Sequence, residues 1–237
     1  MAQGRTVIVK QMGAAACGPW RSQFVALSSA ILVFVATGPL AAQDRGLQIL
    51  HTAAERYAAV ETLCADFTQL LSVPLLGRER TGTGRLCQGR PNLFAMRFAD
   101  PAGDVIVVDG RFAWIYFPSN DEKTVLKTAA DRSAGGRDFH REFLENPESK
   151  YDVEYEGPDV VDGHQTHRLR MRPKGPVSYR SAVVWIDDGD PVLRQLRLEE
   201  ENGNVRTIVL ANVGFDADPG VNWFSFTPPE GALVMVR

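Results

Sequence analysis

From residue 62 to about residue 213, apolar side chains recur at every second position, in short runs broken by Gly, Pro, Asp or Asn. A period of two is that of a strand whose successive side chains point to opposite faces, so the chain is predicted to be mainly β. Leu63, Ala65 and Phe67 line one side of a first strand; Thr81, Thr83, Arg85 and Cys87 belong to its partner. RPNLFAMRF (90–98) follows, then the turn ADPAG, the run DVIVV, the hairpin signal Asp109-Gly110 and FAWIYF. Further strands are expected over 150–156, 166–172, 178–187, 192–199 and 204–213. Many short strands on short connections make a strongly curved antiparallel sheet, an incomplete β-barrel.

Two stretches keep helical spacing instead. Over 47–60, Leu47, Leu50, Ala54, Tyr57 and Ala58 share a face, with Asp44 available as a cap and Glu55 and Arg56 facing water. In GGRDFHREFLENP a helix is expected over 137–146. There Phe139, Phe143 and Leu144 share a face, Arg141, Glu142 and Glu145 point elsewhere, and Asn146-Pro147 ends it. Two amphipathic helices against so much sheet fit one purpose, covering its hollow side as a plug or as a removable lid.

The first 42 residues carry Arg5, Lys10 and Arg21, no acidic side chain, an apolar run from Phe24 to about Thr37, and small residues at Ala41 and Ala42. They read as a secretory signal peptide cleaved after Ala42, which leaves 43–237 as a single domain in an oxidising, exported setting. An uncleaved anchor is the competing reading, interrupted by Gly38 and Pro39. Lipidation at Cys17 is disfavoured because that cysteine precedes the apolar run. Without the leader, 23 basic side chains stand against 29 acidic ones, a net charge of −6, and no basic stripe invites nucleic acid.

Export also changes how Cys64 and Cys87 read. If 73–78 is the loop of the first hairpin, the two fall on the same rung, where a bridge would contribute about 3 kcal/mol. Two buried free thiols are the alternative.

Catalytic patterns are thin. There is no Gly-x-Ser-x-Gly elbow and no phosphate-cradling glycine loop. His164 and His167 sit at a turn and in a strand, and Asp187-Asp188-Gly189-Asp190 reads as turn chemistry. No enzyme activity, cofactor or metal is expected. What stands out is the supply of bulky apolar groups, Phe67, Phe94, Met96, Phe98, Phe112, Trp114, Tyr116, Trp185, Trp223, Phe224 and Phe226. They either fill a core or line a cavity. Arg90, beside Pro91, offers five donors with which to hold a helix by its carbonyls.

In order along the chain, Phe67-Thr68-Gln69, Gly82-x-Gly84, Arg90-Pro91-Asn92-Leu93-Phe94, Asp100-Pro101, Val108-Asp109-Gly110, Trp114-x-Tyr116-x-x-Pro118 and Phe224-Ser225-Phe226-Thr227-Pro228-Pro229-x-Gly231 resemble the LolA family of periplasmic lipoprotein carriers. The resemblance implies a lidded, incomplete barrel whose apolar cavity takes acyl chains of lipoproteins. It also implies a monomeric periplasmic carrier between an inner-membrane ABC transporter of LolCDE type and an outer-membrane receptor of LolB type. It places the latch at Arg90 and the transfer-sensitive aromatic at Phe94, with Met96, Phe98, Phe67, Trp114 and Tyr116 as lipid-binding companions. Leu47, Leu50, Phe139, Phe143 and Leu144 become lid residues. Met96 in place of an aromatic, the two cysteines and the charged second helix depart from the family pattern. Rival readings are the lipid-anchored receptor of the same fold, a lipid- or lipoprotein-sensing envelope module, and an exported hydrolase.

Overall fold

In the computed structural model, which describes residues 39–130 and 139–236, a helix α1 (Pro39–Ala58) leads into β1 (Thr62–Val73) and, after a single 3-10 turn, β2 (Arg78–Gly89). Next come β3 (Leu93–Asp100), β4 (Val105–Asp109), β5 (Phe112–Tyr116) and β6 (Thr124–Ala129). A short π-helical turn (His140–Leu144) and α2 (Pro147–Lys150) precede β7 (Tyr151–Val161), β8 (His164–Pro173), β9 (Tyr179–Asp187), β10 (Leu193–Glu200), β11 (Val205–Phe215) and β12 (Leu233–Val236). The strands form one sheet in the order β12-β6-β5-β4-β3-β2-β1-β11-β10-β9-β8-β7, which ends at β12 and β7 and is not closed. The mainly-β, incomplete-barrel architecture is as the alternation predicts. The signal-peptide reading of 1–42 falls outside the described residues, apart from the backbone of 39–42 in α1.

The β1–β2 ladder pairs Val73 with Arg78 at its closed end and Cys64 with Cys87 near its other end. The cysteines are bridged, with a Cα–Cα distance of 4.1 Å. Glycine matters at two close approaches. A Cβ on Gly84 would lie 2.1 Å from the Arg97 carbonyl oxygen and 2.9 Å from the Phe67 ring, and one on Gly46 would lie 2.8 Å from Val153. Gly84 therefore lets β3 pass a bulge, and Gly46 lets α1 sit tight on β7.

The main core joins Leu50, Ala53 and Tyr57 of α1 to Leu63, Phe67, Phe94, Met96, Phe143, Tyr151, Leu169, Ile186 and Leu196, all less than a tenth exposed. The face of the sheet that carries α1 is called the inner face below.

Four local expectations are corrected. Helix α1 already runs before Asp44, which lies within it rather than capping it. Ala53, not Ala58, completes its buried stripe; Ala58, the last residue of the helix, is exposed. The helix expected over 137–146 is a single π-helical turn followed by the separate α2 beginning at Pro147, because Asn146 takes a left-handed conformation (φ 49°). Residues 137 and 138 lie outside the described residues. Glu142 does not point away but is buried, where it accepts hydrogen bonds from the hydroxyls of Tyr151 (2.7 Å) and Tyr179.

Candidate functional site

A cavity of about 320 Å³ opens on the inner face. One row of paired residues crosses four strands to make its apolar wall, running from Met96 through Ile106 and Ile115 to Leu126. Phe94 stands beside the row, Leu198 and Ile208 close the far side, and Phe139 comes in from the segment of the π turn. Leu126 of β6 and Tyr179 of β9 both line this space although eight strand spacings separate them in the sheet order. In a flat sheet they would stand about 38 Å apart. The sheet must therefore curl for them to share one cavity.

Helix α1 is fastened at its C-terminal end. Arg90 donates from Nε to the Val60 carbonyl (2.9 Å) and from Nη2 to the Tyr57 carbonyl (3.1 Å), and both carbonyls lie at or just past the end of the helix. Arg56 pairs with Asp190 (2.9 Å) and lies over the Phe215 ring, while the Tyr57 hydroxyl accepts the Leu193 N–H (3.2 Å). Burial pushes the Tyr57 phenol up to about 12. The π turn is held by its buried carboxylate. Burial, with the hydrogen bonds to Glu142, puts the Tyr151 and Tyr179 hydroxyls far above the ordinary tyrosine range; the bond between the two phenols (2.6 Å) adds to the rise at Tyr179 and opposes it at Tyr151, and both act as donors or neutral acceptors.

The residues expected to bind lipid divide between the two faces. Phe94 and Met96 line the cavity. Phe67 lies behind it in the core, edge-on to Phe98 at 4.9 Å, and Phe98 borders a second, adjoining pocket of about 140 Å³. Trp114 and Tyr116 do not face the cavity. Strand alternation gives the inner face to Ala113 and Ile115, so Trp114 and Tyr116 lie on the outer face under Phe226 (6.0 and 5.9 Å). They belong to a packed cluster with Ala95, Val105, Val107, Trp223 and Phe224. Asp109 anchors it, accepting N–H groups from Arg111, Phe112 and the Trp114 indole. Burial alone would raise that carboxyl, yet these donors hold it below the usual carboxylate range. Of the residues expected in a lid, Leu50, Phe139, Phe143 and Leu144 are buried in the main core and Leu47 packs on it.

Ile106, Ile115 and Leu126 escaped the sequence reading, which favoured aromatics. For Ile106 and Ile115 the signal was present, because carrying the phase of Met96 across two hairpins selects them, whereas Leu126 lies in β6.

Turn chemistry accounts for the remaining polar candidates. The Asp187 carboxylate accepts the N–H groups of Gly189 and Asp190 and pairs with Arg194 (2.8 Å), while His164 and His167 contact Asp187 and Asp188. Among the described residues, no group of three or more His, Cys, Asp or Glu is placed to hold a metal.

Residues 58–227 match the family model described as outer membrane lipoprotein carrier protein LolA. The chain is 30% identical over 180 residues to an outer-membrane lipoprotein carrier protein of Shewanella sediminis, covering 74% of this chain and 79% of that one. It is 27% identical to the protein of the same description from Serratia proteamaculans, over 85% and 91% of the two chains. A crystal structure of an uncharacterised conserved protein from Thermus thermophilus shares the fold, with a TM-score of 0.51 at 14% identity over 80% of this chain and 98% of that one.

Proposed function

This chain belongs to the LolA family, and from that premise we propose that it carries lipoproteins by sheltering their acyl chains in the cavity of the inner face. The observation that carries the reading is the apolar row from Met96 to Leu126, which walls a cavity that Phe139 enters from the segment of the π turn. Each methylene taken from water gains ~0.8 kcal/mol, so a chain of ~15 gains on the order of 12 kcal/mol before the costs of binding. Such a cargo cannot cross an aqueous compartment uncovered. At about 320 Å³ the cavity lies near the lower end of the roughly 300–1,000 Å³ found for ligand sites. It suits the closed, unloaded state, and taking on several chains requires α1 or the π turn to lift.

In this reading residues 1–42 export the chain to the periplasm. The carrier receives cargo from a transporter of LolCDE type and passes it to a receptor of LolB type. Release needs no nucleotide. Opening breaks the Arg90 bonds and exposes the apolar wall, so a receptor with a better cavity takes the load. The test is to mix the protein starting at Gln43 with a triacylated lipoprotein free of detergent, using the unacylated form as control. A stoichiometric soluble complex with the acylated form alone is expected. Sedimentation of the lipoprotein as fast as without the carrier overturns the proposal.

A further inference from the structure

The cavity wall is not apolar throughout. Arg206 borders both the 320 Å³ cavity and the adjoining 140 Å³ pocket, which also share Gln69 and Phe117. Its Nε and Nη2 donate to Glu200 Oε1 (3.3 and 3.1 Å) and its Nη1 to Gln69 Oε1 (3.1 Å). These bonds occupy three of the five N–H groups that a guanidinium carries. A hydrocarbon tail laid against this pair would strip it of water and give nothing in return. An occupant that spans both spaces must therefore be an amphiphile, with tails along Met96 and Ile106 and an acceptor oxygen at Arg206.

Charge decides which oxygen. The polar walls hold Arg80 and Arg206, but also Asp104 and Glu200, so the formal charges cancel. Asp104 is further committed to the N–H (3.1 Å) and hydroxyl (2.7 Å) of Ser119, and Arg80 to Asn120. A neutral site that keeps donors suits an uncharged carbonyl better than a phosphate. Resting on the reading of the cavity as an acyl-chain site, we infer that the adjoining pocket is a subsite for the ester or amide carbonyl linking an acyl chain to its head group, with Arg206 as the donor.

The experiment compares three lipids with the same chains, dioleoylglycerol, its dialkyl ether analogue without carbonyls, and dioleoyl phosphatidic acid. Each displaces a fluorescent fatty-acid probe from the lipid-stripped protein. The wild type should favour the diester over the diether by about tenfold, as one charge-assisted hydrogen bond gives. Arg206→Met should bring that ratio near one while leaving diether affinity in place. Should Glu200, left unpaired, prevent folding, Arg206→Met/Glu200→Met carries the same comparison. Equal affinity of the wild type for diester and diether overturns the inference, as does a tenfold preference for phosphatidic acid that depends on Arg206. Failure of all three lipids to bind overturns the carrier reading along with it.

Discussion

Arg90 and Arg97 lie on one stretch of chain and do the same work on opposite faces. Arg90 gathers the carbonyls of Tyr57 and Val60, while Arg97 gathers those of Asn222, Trp223 and Ser225 over the outer face. The planar fork of arginine serves both, since it satisfies several carbonyls with one side chain. Arg90 was legible because it stands beside Pro91 next to an aromatic strand. Arg97 was not, because its partners lie at the far end of the chain and no local pattern announces them. Replacing Arg90 with Leu should remove about 1–2 kcal/mol that favours the closed helix. In a transfer assay the variant should take up cargo yet hand it on several-fold more slowly, because a helix that no longer re-closes stops competing with the load. Wild-type transfer by the variant would mean that Arg90 fastens nothing that matters.

Ten of the strands could be read from alternation, while β6 and β12 could not. In β6 only Val125 is buried, and in β12 all four residues are exposed, so neither presents the contrast on which a period-two reading depends. Strand β12 pairs parallel to β6, a register that no hairpin dictates. It arrives there because the segment before it is strapped across β3–β5 by Arg97, Trp223, Phe224 and Phe226. The π turn misled for another reason. Its charged residues suggested a wet face, yet Glu142 is satisfied by two phenols that come from β7 and β9. Arg97→Ala should loosen the strap, lowering stability by about 2 kcal/mol and raising amide exchange from residue 222 through β12 while β7–β10 keep their protection. Uniform exchange across the sheet would rule the strap out as a separate element.

Three phenols shape the molecule's response to alkali. Tyr57, Tyr151 and Tyr179 all hold their protons more firmly folded than free, chiefly because burial penalises the phenolate. A pKa raised on folding contributes stability that is complete below the unfolded value near 10 and is lost as pH climbs through the folded one. Between pH 8 and 11, Tyr57 alone should withdraw about 1 kcal/mol, and denaturant titrations at the two pH values should show at least that loss. Unchanged stability over the interval would mean that the rings are already wet.

The hydrogen-bond ladder ends at β12 and β7 instead of meeting itself. A closed cylinder fixes its girth by strand number and shear, whereas a scroll with two free margins widens or tightens by a small change of twist shared among all its strands, and no rung need break. If the cavity takes acyl chains as proposed, such a scroll adds to the room gained beneath a lifted cover and lets one container serve passengers of unequal bulk.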